Sequence, residues 1–243
     1  MEASEYAKQR SEAPFGLSLL LKKAYMNIGQ ANFSGDPNIG LYAVATDSIC
    51  LIPNIKKWVE DILVENLQVK TLRTTIANTN VLGIFCAGNS NGLILPEFVS
   101  KKELSSIKKQ SEVMIIKGSY NAIGNLILAN DNGCIISDKI KKYKDEISDF
   151  LKVKVAVKNF GELDIVGSLA VANKKGCALS KFVDKKDLEI IETALRVKAD
   201  YSTINFGSSF LRSGMLANSN GVVIGDQTTG PEMQNIIECL RFF

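Results

Sequence analysis

Apolar residues fall along this chain in two rhythms. Short runs of four recur at LILP (93–96), CIIS (134–137), CALS (177–180) and VVIG (222–225). Runs of this length bounded by turn residues suit buried strands. Each follows a polar turn, and an earlier apolar run such as LILA (126–129) precedes that turn. Downstream the rhythm changes to helical spacing, as in Leu188, Ile191 and Leu195, with charges on the other side. Ser100 with Glu103, and Thr229 with Glu232, form capping boxes that mark where helices begin; Asp184 with Asp187 is a near variant. A third apolar run, such as Val113–Ile116 or Val153–Val157, completes the segment. Each segment therefore reads strand–turn–strand–helix–strand, which makes the chain an α/β protein.

The segments are copies of one unit. A Gly followed six residues later by Asn and nine later by Gly occurs at Gly83, Asn89 and Gly92, at Gly124, Asn130 and Gly133, and at Gly167, Asn173 and Gly176. Gly40 leads a weaker copy with Thr46 and Ile49 in the turn slots. Arg212 leads another that keeps Asn218 and Gly221, with Gly214 displaced. Positions 40, 83, 124, 167 and 212 are spaced by 43, 41, 43 and 45 residues. The Asn-x-x-Gly turn is expected to supply the positive φ of tight hairpins. After its last helix the fifth unit has no third strand, whereas Met26–Phe33 stands before the first leading Gly, where a third strand belongs. The N-terminal strand is expected to complete the last unit and close a ring, removing strand edges. Residues 26–243 form one domain on this reading. Residues 1–25 form an extension without fold signal, expected to be disordered, with Met26 as an alternative start.

Composition narrows the chemistry. With 46% hydrophobic and 23% charged residues the chain is an ordinary globular sequence, and a net charge of +3 does not mark a nucleic-acid partner. No apolar run reaches the 18 or so residues of a membrane span. Histidine is absent, which removes the commonest general base and metal ligand. Cys50, Cys134 and Cys177 share one slot with Leu93 and Val222. Cys86 shares another with Ala43, Ile127, Ala170 and Met215. Such slots are packing positions, Cys239 on the last helix is read likewise, and a reducing compartment follows. The lysine pairs 101/102, 108/109, 141/142 and 185/186 read as solvated helix faces, and Asp145/Glu146 as surface charge rather than an acid/base pair. No phosphate-binding Gly motif is present. No cofactor or metal is expected.

The stretches NIGLYAVATDSICLIP, VLGIFCAGNSNGLILPEF, NAIGNLILANDNGCIIS, VGSLAVANKKGCALS and ANSNGVVIGDQTTGPE together resemble translation initiation factor 6 in its archaeal form, from about Met26 onward. The resemblance implies a pentein fold, a five-bladed α/β propeller. It implies a cytoplasmic, monomeric, non-enzymatic factor that touches neither membrane nor DNA. Such factors bind the large ribosomal subunit on its intersubunit face, at a ribosomal protein and RNA near the sarcin–ricin loop, and exclude the small subunit. Eukaryotic members also act in large-subunit maturation. One flat end of the ring makes the contact, through residues beside the leading Gly: here Leu41, Ile84, Asn125, Ser168 and Ser213. Asn125 leads this set, and Arg212 departs from the pattern. Packing around the ring centre is an equal reading for Leu41 and Ile84, and a poorer one for the polar three, since buried polar groups need partners. Two rivals stand beside this. Guanidine-modifying enzymes share the fold, but they use a Cys nucleophile with a His that this chain lacks. A generic protein- or RNA-binding scaffold fits the same fold features.

Overall fold

The five repeats fold as five three-stranded sheets, and the first two strands of each pair antiparallel while the third joins parallel on the far side. The protein is described by a computed structural model covering residues 27–242; the N-terminal extension lies outside the described residues. In the first unit β2 (Val44–Ala45) pairs with β3 (Ile49–Ile52), and β4 (Lys70–Arg73) lies parallel to β3. The second repeats this with β5 (Ala87–Asn89), β6 (Gly92–Pro96) and β7 (Val113–Ile116). The third uses β8 (Ile127–Ala129), β9 (Cys134–Ile136) and β10 (Val155–Val157). The fourth uses β11 (Ala170–Ala172), β12 (Gly176–Ser180) and β13 (Lys198–Ser202). In the fifth, β14 (Met215–Ala217) and β15 (Gly221–Gly225) are completed by β1 (Asn27–Ala31), with Ile28 opposite Val222 and Gln30 opposite Ile224. The N-terminal strand does complete the last unit.

A helix joins the second and third strands within each of the first four units, as a parallel pairing requires. These are Lys57–Leu67, Lys101–Lys108, Lys144–Leu151 and Leu188–Leu195, and Gly230–Cys239 follows β15. Both capping boxes form, Ser100 with Glu103 and Thr229 with Glu232. The Asp184 variant does not. Asp184 instead opens a short 3₁₀ turn without capping through its side chain, and Asp187 accepts from Gly161 N and pairs with Lys158 Nζ at 2.8 Å.

Five apolar cores lie between neighbouring units rather than inside them. One joins Ile94 and Ile116 of the second unit to Ile127 and Leu151 of the third. Others join the third to the fourth, the fourth to the fifth and the first to the second. The remaining core joins Leu216 and Val223 of the fifth to Cys50 and Leu63 of the first. Each fully buried Ile or Leu contributes about 2 kcal/mol relative to exposure, so the units hold one another up. All five cysteines are buried, as the slot pattern requires.

The Asn-x-x-Gly turns do a different job from the one expected. None of their residues has positive φ. Asn130 instead donates from Nδ2 to Asn173 O (2.8 Å) and Leu195 O (3.1 Å), while its Oδ1 accepts from Asn132 N and Gly133 N. Asn89, Asn173 and Asn218 reach the next unit in the same way, and Asn218 reaches Thr46 O and Leu67 O of the first. The glycines serve close approach: a Cβ on Gly133 would lie 1.8 Å from Ala194 O.

Candidate functional site

The leading glycines mark the other end of the molecule. Each is pressed against the unit before it: a Cβ on Gly83 or Gly124 would lie 1.9 Å from the carbonyl oxygen of Gly40 or Gly83 respectively. A short helical turn forms around Gly40, Gly83, Gly124 and Arg212, at Ile39–Tyr42, Leu82–Phe85, Ile123–Leu126 and Leu211–Gly214, while Gly167 lies in a turn that is not helical. The repeat pattern alone has these residues entering a strand directly. The next residue in each unit is fixed by one repeated bond, its N–H donating to the carbonyl three residues back: Leu41 to Asn38, Ile84 to Val81, Asn125 to Ala122, Ser168 to Ile165 and Ser213 to Phe210. The fifth bond places Arg212 in the glycine slot.

These five residues, named as one set from the family resemblance, lie together. Leu41, Ile84, Asn125, Ser168 and Ser213 are each half-buried and all line one depression of about 400 Å³. Ser213 Oγ donates to Phe210 O at 2.7 Å. Asn125 and Ser168 line the depression, and their side chains make no hydrogen bond among the described residues. The wall holds residues that the repeat did not mark: Asn38, Ile165, Ser208 and Phe210. Phe182 stacks edge-on against Phe210 at 5.9 Å, and Phe206 beside it is 83% exposed. An apolar rim thus adjoins the polar half of the depression.

Buried carboxylates hold the loops that lead in. Glu103 accepts from Thr75 Oγ1, Ala77 N, Asn78 N and Ser100 N, and Glu232 from Thr203 Oγ1, Phe206 N, Gly207 N and Thr229 N. Ala77, Asn78, Asn205 and Phe206 are left-handed there, with φ between 48° and 61°. Burial raises the Glu103 carboxyl, but the donors outweigh it and hold its pKa at about 2.

Arg212 lines the floor. Its Nη2 donates to Cys86 O at 2.9 Å, and its Nε is shielded without a partner. Behind it a space of about 40 Å³, lined by residues of all five units, leads toward the Asn turns. That volume holds about one water. At the far end Lys174 bridges Asp47 (2.7 Å) and Asp131 (3.4 Å).

The site offers surfaces rather than reactive groups. Burial pushes the Cys50 and Cys86 thiols up to about 12, far from the thiolate a nucleophile needs. Among the described residues no three His, Cys, Asp or Glu side chains gather as a metal would require. No helix among them is long and apolar enough to cross a membrane.

Comparison with known proteins bears on what such a surface serves. Translation initiation factor 6 of Methanococcus vannielii is 38% identical over 219 residues, covering 86% of this chain and 96% of the relative. That of Pyrococcus horikoshii is 34% identical over 226 residues, covering 89% and 100%. Among solved structures, a DDAH from Pseudomonas aeruginosa complexed with citrulline matches with a TM-score of 0.43 and 10% identity, over 66% of this chain and 67% of that one. The model of the eIF-6 family matches residues 28–239, nearly the whole span that carries the five units, and the chain belongs to that family.

Proposed function

We propose that this protein binds the large ribosomal subunit on its intersubunit face and sterically prevents the small subunit from joining, with a further role in large-subunit maturation. The observation that carries the reading is the convergence of Leu41, Ile84, Asn125, Ser168 and Ser213 on one depression at one end of the molecule. Family membership supplies the partner. The contact is to a ribosomal protein and to RNA near the sarcin–ricin loop. The half-apolar, half-polar composition around the depression suits a protein contact at its centre. The protein acts in the cytoplasm, without cofactor or chemistry, and the buried thiols and missing histidine support that.

The ring belongs to the same proposal. Residues 26–243 form a single five-bladed pentein domain closed on itself. The apolar core between the fifth unit and the first, and the bonds of Asn218 to Thr46 O and Leu67 O, support closure. A closed ring gives the rigid flat end that a steric block requires.

Substituting Asn125 by Arg tests the face. A bulky charge at a half-buried position lining the depression should abolish co-sedimentation with isolated large subunits at moderate salt, while circular dichroism and the thermal midpoint stay close to wild type. Undiminished binding by a folded N125R protein would place the contact elsewhere.

A further inference from the structure

The repeat leaves one residue unexplained. Four units carry Gly in the leading slot and the fifth carries Arg212. The neighbouring backbone forbids a side chain on Gly40, Gly83 and Gly124, with carbonyl oxygens 1.9 Å from a Cβ. At the fourth-to-fifth junction the backbones stand further apart: Arg212 N meets Ser168 O at 3.4 Å, where Gly167 N meets Asn125 O at 2.8 Å. That gap admits a side chain, and the side chain it admits is a cation placed where all five units meet.

This cation is poorly served by the protein. A guanidinium has five N–H donors. Among the described residues the Arg212 side chain makes a single hydrogen bond, to Cys86 O, and no ion pair, and its Nε is shielded with no partner. A buried charge without a counter-ion is costly. The twelve residues lining the depression include no carboxylate, so nothing within it balances the charge. Two more polar side chains without protein partners, Asn125 and Ser168, line the same space, and Asn38, Ser208 and Ser213 stand around it. With about 400 Å³ the depression has room for a small oxyanion or for the end of a side chain.

We propose that Arg212 makes this depression a binding site for a single oxyanion of the carboxylate or phosphate class, with the guanidinium as its charge partner and Asn125 and Ser168 as neutral donors. A planar guanidinium fork matches both geometries, and charge-assisted bonds of this kind are the strong ones. The site is a property of the isolated protein and does not depend on the ribosomal reading. The anion has two sources, a free ion or an acidic group carried by the docking partner, and the chemistry is the same in both.

The test uses the full chain and the Arg212→Gly variant, which restores the residue that four other units carry and so keeps the fold. Inorganic phosphate, and separately acetate, is titrated at fixed ionic strength. The readout is the Arg212 Nε–H resonance, assigned as the side-chain signal missing from R212G, together with the backbone amides of Asn125 and Ser168. The expected result is a saturable shift of all three in the wild type. In R212G the apparent affinity read at Asn125 and Ser168 falls by about tenfold or more, the loss of at least one charge-assisted bond. A second arm measures large-subunit binding with and without saturating phosphate. Weakening in the wild type but not in R212G assigns the group to the partner, and unchanged binding assigns it to a free ion. An unmoved Nε–H, as when water serves it, or an equal response in R212G, would overturn the proposal.

Discussion

Replacing Glu103 by Gln removes one negative charge and almost no volume. The wild-type carboxylate is 6% exposed and accepts from Thr75 Oγ1 (2.5 Å), Ser100 N (2.8 Å), Asn78 N (2.9 Å) and Ala77 N (3.1 Å). Burial alone would raise its pKa, but these donors bring it from 4.5 to about 2. At about 1.4 kcal/mol per pKa unit the ionised form contributes about 3 kcal/mol to folding at neutral pH. Because the folded value lies below the unfolded one, the contribution is complete above the unfolded pKa of 4.5 and fades as pH falls through about 2. The amide of Gln cannot ionise, and its NH₂ faces donors on one side. Urea unfolding followed by circular dichroism should place E103Q about 3 kcal/mol below wild type at neutral pH, with roughly 1–2 kcal/mol remaining near pH 3. An equal gap at both pH values would mean that the loss owes nothing to charge.

Three further outcomes follow from the packing between units. Gly83→Ala sets a Cβ 1.9 Å from Gly40 O and must push the two backbones apart, costing about 3 kcal/mol, whereas Gly230→Ala meets nothing within 4 Å and should leave the urea midpoint almost unmoved. Asn130→Ala strands the carbonyls of Asn173 and Leu195 in the interior, and calorimetry should find roughly 2–4 kcal/mol lost. Native protein at pH 8 should react with a thiol reagent only as fast as it unfolds, because all five thiols are buried and the Cys50 and Cys86 thiols are pushed up to about 12; rapid labelling of one cysteine in the folded state would contradict this.

Much of this was legible in the residues because a repeat carries its own controls. A slot that holds Cys in three units and Leu or Val in the others announces packing, and Cys50, Leu93, Cys134, Cys177 and Val222 are all fully buried. The phase of the repeat placed β1 beside β15 across nearly the whole chain. The family resemblance, carried onto the slot after the leading Gly, named five residues, and these share one depression. What stayed hidden depends on neighbours distant in sequence. The turn glycines answer to carbonyls of other units, such as Ala194 O beside Gly133, and no local turn rule contains that. Asn130 serves as a strut because the end of the next helix stands over it. Asp187 looked like the acidic partner of a capping box opened by Asp184, but Lys158 and the Gly161 amide claim it. Ile165 and Phe210 belong to single units, so the repeat gave them no weight, although both line the site, with Phe182 packed edge-on against Phe210. Arg212 stood out in sequence only as a lapse from the pattern; its unpartnered Nε emerges from the packing of all five units.

If one end of this molecule occupies the joining face of the large subunit, the protein must interfere with subunit joining. Joining is followed by light scattering, with purified large and small subunits and stoichiometric protein. The wild-type protein should lower the yield of joined ribosomes, and Asn125→Arg, folded and at the same concentration, should restore it. Joining that proceeds unchanged in the presence of the wild-type protein would mean that this end does not cover the joining face.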